Sequence, residues 1–538
     1  ATMGPRFNHP GGDMTMQQST DKWQQCSAFQ TIRTATSGLA LLATLSACAS
    51  PGTDPGGTAA QAPDPNTRVA TRDAYLAAAG VDVSGNEVFS RRVNGATGLL
   101  GIMLKTYTTD PLLRPVSTLR SLGFLIGNSL ADLARQTVIS MVQLPRVTSA
   151  PIPPIGNAPG MNLDAWEQDL DRITESTSST GTLEFLVDGD EYFPALIESI
   201  EEAKKSVHLR TYIFDNDDYA IRIADLLKRR AHEIDIKVSM DGIGTLTGSL
   251  VAPSSMPASF EPPPSIANYL STDSDISVRT LTNPWFSGDH TKVTIVDRDV
   301  AFLGGMNIGR EYRYDWHDLM VKLKGSVVDE LARECDDAWA KSGMLGDIAA
   351  FLNYFDTSDS TPPKDGYPLR ILVTRAQHSQ IYTAQLAAVR RAQKYIYIEN
   401  PYFSDDAILY ELIAARRRGV DVRFVIAERG DAMLMDMSNT QTINTMLDNG
   451  IRVYLFPEMT HVKASIVDGW AMVGSANLDK LSLRVNNEVN IATSHPQTVD
   501  VLKDRLFEVD FERSVELKKR LPAGPSYQLA EAVADFFL

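Results

Sequence analysis

The chain has 538 residues, 43% hydrophobic and 22% charged, with a formal net charge of -16. That length suffices for two or three domains, and the hydrophobic fraction is enough to fill a core. The acidic balance argues against a general polyanion binder, which carries a basic footprint, but leaves room for a small basic pocket. Three cysteines, Cys26, Cys48 and Cys335, lie too far apart for a disulfide framework or a zinc-binding set.

In chain order, the first patterned stretch is Gly38 to Cys48, GLALLATLSAC, downstream of Lys22 and Arg33. It is short, apolar and closed by small residues. This is the layout of a secretory signal peptide rather than a membrane span, which needs roughly 20 apolar residues. Leu45-Ser46-Ala47-Cys48 resembles the lipobox of bacterial lipoproteins. The resemblance implies that residues 1–48 are a signal segment, with 1–15 an upstream extension before a start at Met16. It further implies that Cys48 is the lipidated residue and that Ala49 favours outer-membrane sorting. The expected location is the bacterial cell envelope, anchored at the membrane surface on the periplasmic face. Residues 49–70 are rich in Pro, Gly, Ala and Asp and read as a flexible tether. Residues 71–160 form an N-terminal, mainly helical region, including GLLGIML and LGFLIGNSLADLA. Its helices either pack on the catalytic body or lie on a membrane surface.

From residue 181 the chain repeats itself. The first half, 181–355, runs through a helix at YFPALIESIEEA, a strand at SVHLRTYIF, a helix at YAIRIADLLKRRAHE and strands at IDIKVSMDG and ISVRTL. HTKVTIVD and VAFLGG follow. Residues 356–368 are a linker by composition. The second half, 369–515, passes through TAQLAAVRRAQ, YIYIENPYF, AILYELIAARRRG, VDVRFVIAE, IRVYLF, HVKASIVD and AMVGS, and residues 516–538 form a tail. Short apolar strands alternating with amphipathic helices predict an α/β fold, a mostly buried sheet covered by helices. His290 and His461 are 171 positions apart; Asn307 and Asn477 are 170 apart, as are Asp318 and Glu488.

The chemistry concentrates in the two repeats. In His290-Thr-Lys292 and His461-Val-Lys463 the flanking valines and isoleucines predict strand, where residues two apart share a face. Gly304, Gly305 and Asn307 follow the first motif, and Gly474, Ser475 and Asn477 the second. Paired lysines and asparagines are donors suited to phosphate oxygens. One neutral histidine suits a nucleophile and the other, protonated, a general acid. Each imidazole needs its second nitrogen held by a partner, preferably a carboxylate. Asp318 and Glu488 lie at matched offsets, so each half is expected to bring its own lysine, asparagine and orienting carboxylate. Asp297 and Asp468 point away from the histidine face by strand alternation and read as ion-pair or turn residues.

HTKVTIVDRDVAFLGGMNIGREY and HVKASIVDGWAMVGSANLDKLSLRVNNEVN resemble the paired H-x-K-x4-D motifs of the phospholipase D superfamily. Trp316-His317-Asp318 matches its W-x-D block, and Asn477, Asp479, Ser482, Asn486 and Glu488 match the residues after its second motif. Leu481 departs from the arginine usual there. YIENPYF, RGVDVRFVI and DNGIRVYLF resemble the cardiolipin synthase branch. The resemblance covers roughly 180–515. It implies two tandem α-β-α sandwich halves forming a pseudo-dimer with one shared site, acting as a monomer. It also implies a phosphohistidine on His290, His461 as general acid, and neither metal nor other cofactor. The residues themselves leave the order of the two histidines open. The expected function is a phosphodiesterase or phosphatidyltransferase on phospholipid headgroups. The alternative is an extracytoplasmic nuclease, although no nucleic-acid partner is expected. Tyr402, Phe403, Trp285 and Phe286 either line a pocket or pack as core, with core expected for two of the four.

Overall fold

The computed structural model describes residues 112, 114–139, 143, 147–149, 151–250, 252–253, 255–281, 287–343, 346–348, 366–375, 378–431 and 433–524. The signal segment, Cys48, the tether, Trp285, Phe286 and most of the linker lie outside them.

The strands are β1 Ser179–Val187, β2 Ser206–Thr211, β3 Asp235–Asp241, β4 Ser277–Leu281, β5 Val293–Val296, β6 Val300–Gly304, β7 Leu319–Gly325 and β8 Tyr367–Arg375. They continue as β9 His378–Ser379, β10 Tyr395–Glu399, β11 Asp421–Ala427, β12 Arg452–Phe456, β13 Ala464–Val467, β14 Trp470–Gly474, β15 Glu488–Thr493 and β16 Val515–Glu516. The main helices are α1 Pro115–Val138, α2 Leu163–Thr174, α3 Asp188–Glu202, α4 Asp218–Arg230, α5 Gly242–Leu250, α6 Ile266–Ser271 and α7 Ser326–Lys341. In the second half they are α8 Gln380–Arg391, α9 Asp406–Arg417, α10 Met433–Asp448, α11 Lys480–Arg484, α12 Pro496–Leu502 and α13 Glu508–Arg513.

Each half builds its sheet in the same order. In the first, β1-β7-β6-β5-β2-β3-β4 are neighbours; in the second, β8-β15-β14-β13-β10-β11-β12-β16. The two runs join where β1 pairs antiparallel with β8 over Ser179–Leu369, Thr180–Pro368 and Gly181–Tyr367. Glycine is required at this join. A Cβ on Gly181 would sit 2.4 Å from the Lys324 carbonyl, and Gly366 has φ +130. The central strands VTIV and ASIV are buried at every position, as two-sided burial demands.

Helices cover the outer face of each sheet. Phe193, Leu196 and Ile200 of α3 pack with Ile223 and Leu227 of α4 on the first half. On the second, Leu412 and Ile413 of α9 pack with Val389 of α8 and with Trp166 and Leu170 of α2. Helix α2 precedes the first half in sequence yet docks on the second, with Trp166 edge-on to Trp470 at 5.3 Å. Aspartates cap equivalent helices: Asp217 accepts from Ala220 N at 2.7 Å at α4, and Asp405 from Ile408 N at 2.8 Å at α9. A third core lies between the halves. Val293, Leu303 and Val321 of the first meet Ile371, Ala464, Val473 and Phe507 of the second there. Among the described residues no helix is long and apolar enough to cross a membrane.

Candidate active site

Both His-x-Lys motifs sit one step before their strands rather than within them, because β5 opens at Val293 and β13 at Ala464. Each lysine turns back on its own histidine. Lys292 Nζ donates to the His290 carbonyl and Lys463 Nζ to the His461 carbonyl, both at 2.7 Å. Lysine and histidine are thus locked as a unit at the entrance of a buried strand.

The backbone of each motif crosses to the other half. His290 N donates to Asn487 O at 3.0 Å, and Asn487 N to Gly288 O at 2.9 Å. Symmetrically, His461 N donates to His317 O at 2.7 Å, and His317 N to Met459 O at 2.9 Å. The next residue in each crossing segment is the carboxylate. Glu488 Oε1 therefore lies 2.9 Å from His290 Nδ1, and Asp318 Oδ2 lies 2.7 Å from His461 Nδ1. This corrects the expectation that each half brings its own orienting carboxylate: the pairs are exchanged. Matched sequence offsets cannot show this, because the exchange arises from pairing between segments 198 and 143 residues apart. Behind the pairs, Ser475 Oγ donates to Glu488 Oε2 at 2.5 Å, and Leu319 N to Asp318 Oδ1 at 2.7 Å. With Nδ1 occupied on both rings, Nε2 is the nitrogen left for substrate chemistry.

Burial dominates the electrostatics. It pushes both histidines well below their usual range, helped by Lys292 and Lys463, each of which acts on both rings. It lowers Lys292 to about 7 and Lys463 to about 8, and raises Asp318 to about 7 and Glu488 to about 8. An anion entering between the lysines would favour their charged forms and a protonated histidine.

The other sequence candidates divide. Asn477 is buried with Oδ1 lacking a partner. Asn307 Oδ1 accepts from Ile213 N at 2.9 Å, and one N–H of its Nδ2 donates to Tyr312 OH at 2.7 Å, so the amide is oriented from within its own half. Asp297 accepts from the backbone N–H groups of Lys204, Lys205 and Ser206 at 2.7 to 2.8 Å. Asp468 does the same for Gln393, Lys394, Tyr395 and also Met161. With φ of +54 and +50, both are turn residues binding backbone, not ion-pair partners. Phe403 is core, stacked on Phe424 at 5.4 Å, whereas half-buried Tyr402 donates to Asp431. Leu481 lies in α11 and makes no contact that explains the missing arginine.

Sequence reasoning missed two aromatic neighbours, Tyr212 and Tyr312, and gave Trp316 only as part of the W-x-D block. Tyr212 meets His290 edge-on at 4.7 Å, with Lys292 Nζ 5.0 Å from its ring centre. Trp316 and Tyr312 lie 5.3 and 5.7 Å from the His461 ring. Tyr212 follows directly after β2, a position that alternation flags only as a strand end. The sequence also showed no cluster with metal-ligand spacing. The fold nevertheless brings His317, Glu399 and Asp510 together, their potential ligand atoms within 4.8 Å of one another.

Comparison with known proteins agrees with this architecture. The family described as "Cardiolipin synthase, PLD-like domain" matches residues 196–339 and 386–509, one segment in each half. The cardiolipin synthase of Listeria monocytogenes serotype 4b is 30% identical over 372 residues, covering 64% of this chain and 72% of that protein. Cardiolipin synthase 1 of Bacillus anthracis is 27% identical over 353 residues, covering 63% and 68%. In fold, the crystal structure of phosphatidylserine synthase from Haemophilus influenzae Rd KW20 superposes with a TM-score of 0.54 at 15% identity, over 69% of this chain and all of that one. With two exchanged histidine–carboxylate pairs in a duplicated sheet, and matches reaching into both halves, this chain belongs to the phospholipase D superfamily, among its cardiolipin synthase-like enzymes.

Proposed function

We propose that the protein transfers a phosphatidyl group between phospholipids through a phosphohistidine at His290. In this reading His290 Nε2 attacks the phosphorus of phosphatidylglycerol. The phosphorus–oxygen bond to the headgroup breaks, and His461 Nε2 gives its proton to the departing glycerol oxygen. A hydroxyl of a second phosphatidylglycerol then attacks the phosphohistidine. His461 takes that hydroxyl proton, the P–N bond breaks, and cardiolipin leaves with His290 restored. Water in place of the second alcohol would give hydrolysis, so the outcome depends on how well the closed site excludes water. Lys292 and Lys463 neutralise the phosphoryl oxygens.

The observation that supports this reading is the exchanged pairing of His290 with Glu488 and His461 with Asp318. It holds both rings in one tautomer and makes each half incomplete alone. One chain carries both motifs, so a single chain suffices to complete the site, and a monomer is the active unit in this reading. The lipobox-like segment at Cys48 supports attachment at the envelope membrane, next to such substrates. An alkyl-modified Cys48 in protein isolated from membranes is the expected finding.

The test is one incubation. Full-length protein in mild detergent is mixed with phosphatidylglycerol vesicles and chelator, with and without ethanol. Cardiolipin, and phosphatidylethanol when ethanol is present, are the expected products. Phosphatidic acid alone would turn the reading to hydrolysis. Cleavage of DNA without phospholipid turnover would reject it.

A further inference from the structure

Behind each histidine lies a buried charged group, and the two differ in kind. The sheet register makes them equivalent: Arg210 pairs with Val293, three residues after His290, and Glu399 pairs with Ala464, three after His461. On the first side Arg210 forms a buried ion pair with Asp289 at 2.8 Å, next to the motif. That pair is permanent, because a guanidinium does not lose its proton. On the second side Glu399 is an acid and Thr460, the counterpart of Asp289, donates its hydroxyl to it at 2.5 Å. The positive partner must come from elsewhere, and His317 occupies that place. Its own counterpart across the pseudo-twofold is the amide Asn487.

His317 is 2% exposed and hydrogen-bonded on both ring nitrogens. Nδ1 lies 2.7 Å from Asp188 Oδ1, and Nε2 lies 3.1 Å from Asp510 Oδ2 and 3.9 Å from Glu399 Oε1. With an acid on each side, an imidazolium donates from both nitrogens at once, while burial and Asp510 push Glu399 well above the usual carboxylate range. The groups facing it are Asp188 at the start of α3, Glu399 of β10 and Asp510 of α13. Phe456 of β12 stacks on the ring at 4.7 Å, and Arg513 Cζ lies 4.6 Å from the centre of that same phenyl ring. The His317 carbonyl accepts the His461 N–H, and the next residue is Asp318. Asp188 also accepts from Asp318 N at 3.2 Å and donates its own N–H to the Asp318 carbonyl at 2.9 Å.

We propose that His317 is a positioning residue: a buried imidazolium, clamped by Asp188, Glu399 and Asp510, that fastens the His461 backbone and the Asp318 carboxylate across the seam between the halves. It supplies on the His461 side the positive charge that Arg210 supplies on the other, and so distinguishes the two sides of a nearly symmetric site. The clamp favours the ionised form of Asp318 and aims it at His461 Nδ1, which a proton-carrying histidine requires. Burial opposes a charge on His317, but the bonds to Asp188 and Asp510 outweigh it and hold the ring well above the usual histidine range. The same cation lowers Asp318, partly offsetting the rise that burial causes.

The part of this that concerns His461 rests on the proposed function, so the test has an arm independent of turnover. In full-length wild-type protein with 15N-labelled histidine, His317 should keep both ring nitrogens at imidazolium shifts through pH 8. A neutral His317 at pH 7 overturns the proposal whatever the enzyme's substrate. The second arm uses His317→Asn, which installs the residue found at the equivalent place. Its kcat on phosphatidylglycerol should fall on the order of tenfold, a fraction of what general acid catalysis contributes, with KM nearly unchanged. The acid limb of its kcat profile should move to higher pH, because Asp318 loses a neighbouring cation. Wild-type kcat and profile in this variant would overturn the proposal. So would stoichiometric bound metal that is lost from Asp510→Asn, since the three ligands would then be a coordination site.

Discussion

At the scale of residues, the exchange of carboxylates makes a prediction that the two halves cannot make separately. If His290 is the nucleophile and His461 the acid, Glu488 serves the attack and Asp318 the departure. A phosphodiester with a nitrophenolate leaving group needs no acid. Asp318→Asn and His461→Ala should therefore recover most of the wild-type rate of P–N bond formation on such a substrate. Glu488→Gln and His290→Ala should not. Rescue of the opposite pair in a burst experiment would reverse the assignment. The lysines carry a second expectation. Lys292 is fully buried and lowered to about 7, so the folded state binds fewer protons at this group than the unfolded chain between about pH 7 and the free lysine value. Its contribution is destabilising below about pH 7 and fades as pH rises. Lys292→Met should be inactive yet more stable by about 1 kcal/mol at pH 6, with a smaller gain at pH 9 in urea titrations. A loss of stability at pH 6 would show that the charge is fully compensated in the fold.

At the scale of elements, the turns between β5 and β6 and between β13 and β14 illustrate how motif residues divide between chemistry and construction. The aspartate that completes each H-x-K-x4-D motif sits in the left-handed region. It gathers the N–H groups at the end of the preceding helix–strand loop, including Lys204 to Ser206 in one half and Gln393 to Tyr395 in the other. It thereby fixes where the motif strand lies against its antiparallel neighbours, β2 for β5 and β10 for β13. Asp468→Ala would leave those donors and Met161 N without their acceptor, a cost of about 3 kcal/mol. Urea unfolding should show that loss while turnover per folded molecule persists. Abolished turnover in fully folded Asp468→Ala would place this residue in the chemistry. Strand alternation had already turned both aspartates away from the histidines. It could not distinguish an ion pair from a set of backbone donors, because those donors lie 73 to 93 residues away.

At the scale of the whole molecule, the halves share one core as well as one site. Val293, Leu303 and Val321 of the first half are buried against Ile371, Val473 and Phe507 of the second. Helix α2 ties the N-terminal side to the second half through Trp166 and Trp470. Removing one half would expose the shared core of the other, so the halves should not unfold independently. Tryptophan fluorescence, far-ultraviolet circular dichroism and activity should lose their signals at one urea concentration. A plateau with half the ellipticity would mean two separable bodies. The alternation of short apolar strands with amphipathic helices, the duplication, and the candidate residues of both motifs were all legible in the amino-acid order. They depend on local periodicity and on repetition, which a linear string displays. Several features required the tertiary structure: the exchange of Glu488 and Asp318, the engagement of Asn307 by Tyr312, the placement of Tyr212 beside His290, and the assembly of His317 with Glu399 and Asp510. Each joins segments that meet only when two similar halves pair across a seam. Equal offsets within a repeat are the same whether a carboxylate serves its own histidine or its neighbour's, and only the path of the backbone between the halves decides which.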